Sequence, residues 1–252
     1  MNDNVEISEQ EGVLEIRLSR PEKKNALTAD MYLAMTCGLK HAAARSEIGA
    51  VLFSGHGDAY CAGNDLKDFA SGPDSSRAAF DFIGALAAFE KPMVAAVQGL
   101  AVGIGATMLF HVDLVYVEPN ARFIMPFVNL GLVPEAGSSL LASSLFGHAK
   151  AAEMLLLGEP FDAAAGERAG FVTAIVAQDR LLEHARAKAA AIMAMPPLAL
   201  GLTRSLLRGD RTAILARIET EAELFAQALT SPESKEAFAA FFEKRQPDFG
   251  RL

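Results

Sequence analysis

The sequence predicts an α/β core followed by a helical extension, and three patterns carry that expectation. Residues 5–10 and 13–19 alternate with period two, setting Val13, Glu15 and Arg17 against Leu14, Ile16 and Leu18. Two short runs of buried-strand type, Ala50 to Ser54 and Met93 to Gln98, then alternate with stretches of helical spacing. From Gly137 onward the spacing is mostly helical. We assign residues 1–195 to the core and 196–252 to a helical C-terminal region, with no repeat at a fixed period and no low-complexity linker between them.

The elements follow in order. Glu11-Gly12 separates the first two segments and suits a hairpin. Thr28 caps a helix that runs to about Arg45, with Asp30 in its first turn. The strand Ala50 to Ser54 ends in the turn residues Gly55-His56-Gly57-Asp58. A loop holding Ala62-Gly63-Asn64-Asp65 follows, then a polar break over Ser71-Gly72-Pro73-Asp74-Ser75-Ser76 and a helix from Arg77 to Phe89. Pro92 opens the next strand, Gly99 to Gly105 is a glycine-rich turn into a short helix, and Asp113 to Val117 is a further strand. Helical spacing covers Ser138 to Phe146, Ala149 to Leu157, Ala163 to Arg168 and Arg180 to the end, interrupted by a strand at Phe171 to Val176 and by Pro196-Pro197. The tail is amphipathic and carries Phe225, Phe238, Phe241 and Phe242. Its pattern fits equally well with packing on another subunit and with covering its own core.

Composition excludes several classes. Among 252 residues, 51% are hydrophobic and 21% charged, an ordinary globular balance. A net charge of −8 argues against nucleic-acid binding, which requires a basic surface, but leaves room for a small anionic ligand held by local Lys and Arg. Cys37 and Cys61 form no CxxC or Cys/His cluster, so neither a disulfide framework nor a zinc site is expected, and a reducing cytoplasm fits. The acidic start, MNDNVEISEQEG, reads as neither a signal peptide nor a transit peptide. The most apolar stretch, Met93 to Val117, is interrupted by Gly99, Gly103, Gly105, His111 and Asp113, so it reads as core and no membrane partner is expected.

Familiar motifs fail in turn. Gly103-Ile104-Gly105 begins like a dinucleotide fingerprint, but Met108 stands at the third glycine position and no suitable acid follows. No GxxxxGK[ST] loop and no GxSxG elbow occurs. The five histidines, at 41, 56, 111, 148 and 184, have no ligand spacing, so no metal is expected, and His111 reads as a satisfied core residue.

Three segments remain: Cys61-Ala62-Gly63-Asn64-Asp65-Leu66, Gln98 to Gly105, and Asn129 to Gly137. Each leads into a helix N-terminus, whose first N–H groups lack internal partners. Two such termini aimed at one point would stabilise a developing oxyanion, and glycines beside them let a ligand approach the backbone.

These segments resemble the crotonase (enoyl-CoA hydratase/isomerase) superfamily over essentially the whole chain. The likeness extends to Arg20-Pro21-Glu22-Lys23-Lys24-Asn25-Ala26-Leu27, to Gly158-Glu159-Pro160-Phe161 with Ala163, Ala165 and Gly170-Phe171-Val172, and to Phe242-Glu243-Lys244-Arg245-Gln246-Pro247-Asp248-Phe249. It implies a spiral of ββα units with a helical C-terminal trimerisation region, hence a homotrimer or a dimer of trimers. It also implies an acyl-CoA thioester substrate, with coenzyme A as part of that substrate and no separate cofactor. By the same resemblance the oxyanion hole is the N–H pair of Asn64 and Ile104. Lys24, Ala26, Ala62 and Leu66, with Gly63 and Asp65 beside them, line the coenzyme A site, although Asp65 also reads as a cap for the helix that follows. Phe242 and Lys244 look like residues that reach the coenzyme A of a neighbouring subunit.

The resemblance also separates reactions. Hydratases of the family use two glutamates, and here their places hold Thr107 and Phe127, which cannot serve as acid and base. Glu135, in Leu132-Val133-Pro134-Glu135-Ala136-Gly137, stands where peroxisomal-type Δ3,Δ2-enoyl-CoA isomerases carry their proton-shuttling glutamate. One carboxylate suffices to move a double bond. Leu132, Val133 and Phe127 would raise the pKa of Glu135 while the following helix N-terminus would lower it, and the sequence leaves that balance open. Other readings stay open beside the isomerase: a ring-epoxide or oxepin thioester isomerase, a hydratase, and a non-catalytic acyl-CoA binder. RNA binding has little support from so acidic a chain.

Overall fold

A computed structural model describes residues 3–69 and 73–251. Strands β1 (Val5–Gln10) and β2 (Val13–Leu18) form the expected antiparallel hairpin, Val5 facing Leu18 and Gln10 facing Val13. Helix α1 (Ala29–Ala44) starts at Thr28, whose side chain accepts from the Met31 N–H. Strand β3 (Ala50–Gly55) lies parallel to β2. Then come α2 (Leu66–Phe69), α3 (Pro73–Ala88), β4 (Met93–Val97), β5 (Leu100–Val102), α4 (Ile104–Thr107), β6 (Leu114–Val117) and β7 (Arg122–Ile124). The remainder is α5 (Ser138–Phe146), α6 (His148–Ala152), β8 (Phe161–Asp162), α7 (Ala163–Ala169), β9 (Ala174–Ile175), α8 (Leu181–Met193), α9 (Pro197–Arg208), α10 (Thr212–Leu229) and α11 (Pro232–Glu243).

Two sheets result. The larger has the order β1-β2-β3-β4-β6-β9 and is parallel apart from its hairpin. Its central strands β3 and β4 are buried on both faces, as parallel strands under helices must be. Val51 and Phe53 face the main core with Tyr32, Met35 and Phe82. Leu52, Val94 and Tyr116 face a smaller core closed by Leu181, Ala185 and Ala189 of α8.

The smaller sheet, β5-β7-β8, is invisible to a periodicity argument because its strands are two or three residues long. Aromatic packing compensates for that brevity: Phe123 stacks on Phe161 with centroids 4.9 Å apart, and Phe146 meets Phe161 edge-on at 5.3 Å. Isolated parallel bridges continue this sheet outward, Cys61 to Ala101 and Leu27 to Asn64.

Several expected boundaries move. Helix α3 begins at Pro73 rather than Arg77, since a proline in the first turn forfeits no helical hydrogen bond. The expected break at Ser71-Gly72 lies outside the described residues. The strand expected over 171–176 shrinks to Ala174–Ile175, because Phe171 and Val172 bury themselves against α7 and the aromatic cluster. The helix after Gly147 starts at His148 and ends in a π-turn over 153–157.

The turn from β4 to β5 fixes the spacing of the two sheets. Gly99 has φ +55, and a Cβ there would lie 1.9 Å from the Asp58 carbonyl oxygen. Gly99→Ala should therefore lose about 2–4 kcal/mol of unfolding free energy, read from urea denaturation, whereas Gly84→Ala, with open space around it, should lose none.

Candidate active site

The loop that leaves β3 is held by a buried knot. Asn25, itself at φ 55, donates from Nδ2 to the Ala59 oxygen at 2.8 Å and the His56 oxygen at 2.9 Å, and its Oδ1 accepts from the Arg20 N–H at 2.8 Å. The Arg20 guanidinium reaches Asp65 at 2.8 Å. Asp65 in turn accepts from the N–H groups of Lys67 and Asp68, so it is the cap of α2. Burial pushes the Asp65 carboxyl up, but Arg20 and those N–H donors together hold it below its ordinary value.

This knot threads residues 61–65 between two backbones. Leu27 donates to the Gly63 oxygen and Asp65 to the Leu27 oxygen, both at 2.8 Å, so the intervening Asn64 N–H turns the other way. On the far side Cys61 donates to Leu100, and Val102 to Cys61. Gly63 has φ +89, and a Cβ there would meet the Val102 oxygen at 3.0 Å. Gly103, at φ 53 and ψ −121, turns the chain into α4 in a conformation open to glycine alone. Ile104 is then the first helical residue. Among the described residues neither the Asn64 nor the Ile104 N–H has a hydrogen-bond partner, and both residues line one cavity of about 600 Å³. Such a pair of free donors can stabilise a developing oxyanion.

The cavity has a polar entrance and an apolar body. Lys23, Asp65 and Lys67 stand among its lining residues, while Phe127, Leu130, Leu132, Phe225, Phe241 and Phe242 make up much of the rest. Glu135 is 4% exposed and is not on the lining; Leu132 and Phe127 are. Its Oε1 accepts from the Thr107 hydroxyl, one turn into the helix that Ile104 opens. Burial pushes the Glu135 carboxyl up to about 8, the Thr107 bond opposes that rise, and the nearby Glu221 charge adds to it. The same field reaches Tyr32 and Cys61: burial first and Glu135 second raise the phenol far above its ordinary value, and burial pushes the thiol to about 12. Tyr32 donates its hydroxyl to Asn64 Oδ1, fixing the side chain beside the free Asn64 N–H.

A family model for "Enoyl-CoA hydratase/isomerase" matches residues 8–251. The chain belongs to this family. It is 34% identical over 238 residues to a probable enoyl-CoA hydratase of Mycobacterium leprae, covering 93% of each chain. It is 33% identical over 223 residues to enoyl-CoA delta isomerase 2 of Rattus norvegicus, covering 85% of this chain and 57% of that one. A crystal structure of an enoyl-CoA hydratase/isomerase from Pseudoalteromonas atlantica superposes with a TM-score of 0.93 at 38% identity, over 98% of this chain and 99% of the other. The α/β spiral with a helical C-terminal region is the fold of that family.

Within this family member the expected residues do not all share one place. Asn64, Ile104, Ala26, Ala62, Gly63, Asp65, Leu66 and Phe242 line the cavity. Lys24 does not: Lys23 ends a short 3-10 turn and lines the cavity, while Lys24 caps that turn in a left-handed conformation. Phe242 lines the cavity of its own chain, and the exposed Lys244, at φ 54, lies off the wall as the cap of α11. His111 is a core residue as expected, donating from Nε2 to the Ala136 oxygen at 2.8 Å, and burial holds its pKa down at about 4.

Sequence reasoning missed Tyr32, the Thr107–Glu135 bond and Glu221. It also expected the N-terminus of α5 to act on Glu135. Instead that terminus is occupied: Glu221, on α10, accepts from the Gly137 N–H at 2.6 Å and the Ser139 N–H at 3.0 Å. No short-range pattern in the sequence signals this contact.

The folded chain keeps the Glu135 proton up to about pH 8, whereas an unfolded glutamate releases it near 4.5. Between those values the folded state binds the extra proton, so this residue's contribution to stability declines as pH rises through that window. Glu135→Gln should remove the decline: urea unfolding should show it on the order of a few kcal/mol more stable than wild type at about pH 9, and close to wild type at about pH 5.

Proposed function

We propose that this chain is a Δ3,Δ2-enoyl-CoA isomerase in which Glu135 carries one proton between two carbons of an acyl-CoA thioester. One observation carries the reading. The position that would hold a second acid is Thr107, whose hydroxyl is engaged by Glu135 and the Gly103 oxygen, while Phe127 occupies the other acid's place as part of an apolar wall. Adding water needs a base and an acid in concert, whereas moving a double bond needs one group that can do both jobs in sequence.

The thioester carbonyl would accept from the Asn64 and Ile104 N–H groups. Ionised Glu135 removes a proton from C2, the C2–H pair moves into the C1–C2 bond, and the negative charge collects on the carbonyl oxygen. The carbonyl then re-forms, C2 and C3 become doubly bonded, and the former C3–C4 pair takes the proton back from Glu135 at C4. No electrons are gained or lost, so no redox cofactor is required, and coenzyme A enters only as part of the substrate. To reach the acyl chain, Glu135 must turn from Thr107 past Leu132, a rotation about its own side-chain bonds. A pKa near 8 suits a group that must both take and return a proton near neutrality. Lys23 and Lys67 suit the phosphates of coenzyme A, and the phenylalanines suit an acyl chain.

The assembly is a homotrimer or a pair of trimers, built through residues 196–252. Supporting this, α9 leaves Leu198, Leu202, Leu206 and Leu207 exposed while Arg204 ties its other face to Asp113 at 2.8 Å. No single described helix is long and apolar enough to cross a membrane. The thiols of Cys37 and Cys61 are free, which suits a reducing cytoplasm.

The assay is conversion of 3-enoyl-CoA to trans-2-enoyl-CoA over a series of chain lengths. Glu135→Gln should lower kcat by roughly a thousand-fold with coenzyme A binding retained, and wild-type kcat/KM should climb with pH to a plateau above about 8. Full activity in that variant, or appreciable hydration of crotonyl-CoA by wild type, would overturn the assignment.

A further inference from the structure

Glu221 is 4% exposed, sits on a helix of the C-terminal region and has no part in the reaction just described. Its two carboxylate oxygens divide two donors between them, Oε2 taking the Gly137 N–H and Oε1 the Ser139 N–H. A bare helix N-terminus at that point would place positive potential two residues from Glu135 and favour its ionised form. With the carboxylate in place, that potential is answered and a like charge faces the buried acid instead.

We propose that Glu221 is a positioning residue for Glu135: it seals the N-terminus of α5 and keeps a negative charge near the buried acid, so that Glu135 rather than Glu221 holds its proton near neutral pH. The proposal rests on the reading of Glu135 as the proton shuttle and extends it by assigning what holds that group ready.

The donor sets of the two carboxyls are unequal. Burial pushes the Glu221 carboxyl up, but it is opposed by two backbone N–H groups and by the field of Arg217, one turn earlier on α10, whose Nη1 also donates to the Ser139 hydroxyl at 3.1 Å. Glu135 receives the single hydroxyl of Thr107. Where two acids interact, the one with more donors keeps its charge and the other takes the proton. The remaining titratable groups around the pair do not reverse that order. Tyr32 from α1 and Cys61 from the loop before α2 are both held protonated by burial. His111 lies on the far side of Ala136, is held neutral by burial, and is flanked by Arg208, which donates to its backbone oxygen, and by Arg211. The connecting turn is taut: Ala136 is left-handed at φ 59, Gly137 at φ 70, and His111 anchors the Ala136 oxygen. A contact made at Gly137 therefore bears directly on where Glu135 is held.

The test is a titration of the protein labelled with 13C at the glutamate δ-carboxyls, followed by NMR without substrate. Glu135→Gln identifies the Glu135 resonance by its loss. In isosteric Glu221→Gln the Glu135 midpoint should fall by at least about half a pH unit, and the acid limb of kcat/KM should move with it. Glu221→Asp, shorter but still charged, should stay closer to wild type. An unchanged midpoint in folded Glu221→Gln overturns the proposal, and so does an Asp variant that falls as far as Gln. Wild type alone supplies a check if the Gln variant does not fold: Glu135 must lose its proton after Glu221, and the opposite order overturns the proposal. Because the midpoint is read without substrate, failure of the isomerase assay would leave this measurement standing on its own.

Discussion

A carboxyl group sealed in an apolar wall, with one hydroxyl as its donor, is the constraint on which the site depends. In water Glu135 would be an ordinary anion. Buried in the fold, it is pushed toward a value at which both protonation states are accessible near neutral pH. The Thr107 hydroxyl opposes the effect of burial by donating to the carboxyl. The cost appears in folding, since an acid held protonated above its ordinary range withdraws stability as pH rises. A site of this kind is expected to trade some stability for a usable acid and base.

The free N–H groups of Asn64 and Ile104 come from a different source, the pairing of two strand-to-helix turns. Residues 61–65 bridge to Leu27 on one side and to Ala101 on the other, so Asn64 is fixed by backbone hydrogen bonds rather than by its side chain alone. The positive φ of Gly63 and Gly103 and the lack of a Cβ at Gly105, where one would meet the Cys61 oxygen at 2.6 Å, let the two turns close together. The donors are thus set before any substrate arrives, which is what makes them useful to a charge that develops only in the transition state.

What the sequence could disclose follows from the range of each interaction. The hairpin, the capped α1 and the buried β3 and β4 rest on spacing over a few residues, and each was legible. Strands of two or three residues, β5, β7 and β8, have no period to read, and they exist because Phe123, Phe146, Phe161 and Phe171 pack together from distant parts of the chain. In the site, Asn64 and Ile104 stand in local motifs, and the fold brings both to one cavity wall, with Glu135 buried off that wall. Lys24 lies off the cavity wall that Lys23 joins, a difference of one residue at a left-handed turn that no spacing pattern displays, and the Glu221 contact joins positions far apart in sequence.

The long-range contacts change how the C-terminal region is understood. Phe225, Phe241 and Phe242 line the same cavity as Asn64 and Ile104, and Glu221 closes the helix that begins two residues after Glu135's neighbour Ala136. Pattern alone allowed these helices either to cover their own core or to serve another subunit. In this chain Phe225 and Phe238 are buried in the core, while Leu215, Leu224, Phe241 and Phe242 stay exposed, as do the leucines of α9. Both uses are therefore compatible, because they draw on different residues of the same helices. A polar contact buried at 4% exposure is costly to leave unmade, so Glu221 also couples the seating of α10 to the environment of Glu135. Any motion that withdraws α10 would uncover the α5 N-terminus and, with it, shift the balance between the two protonation states of the acid.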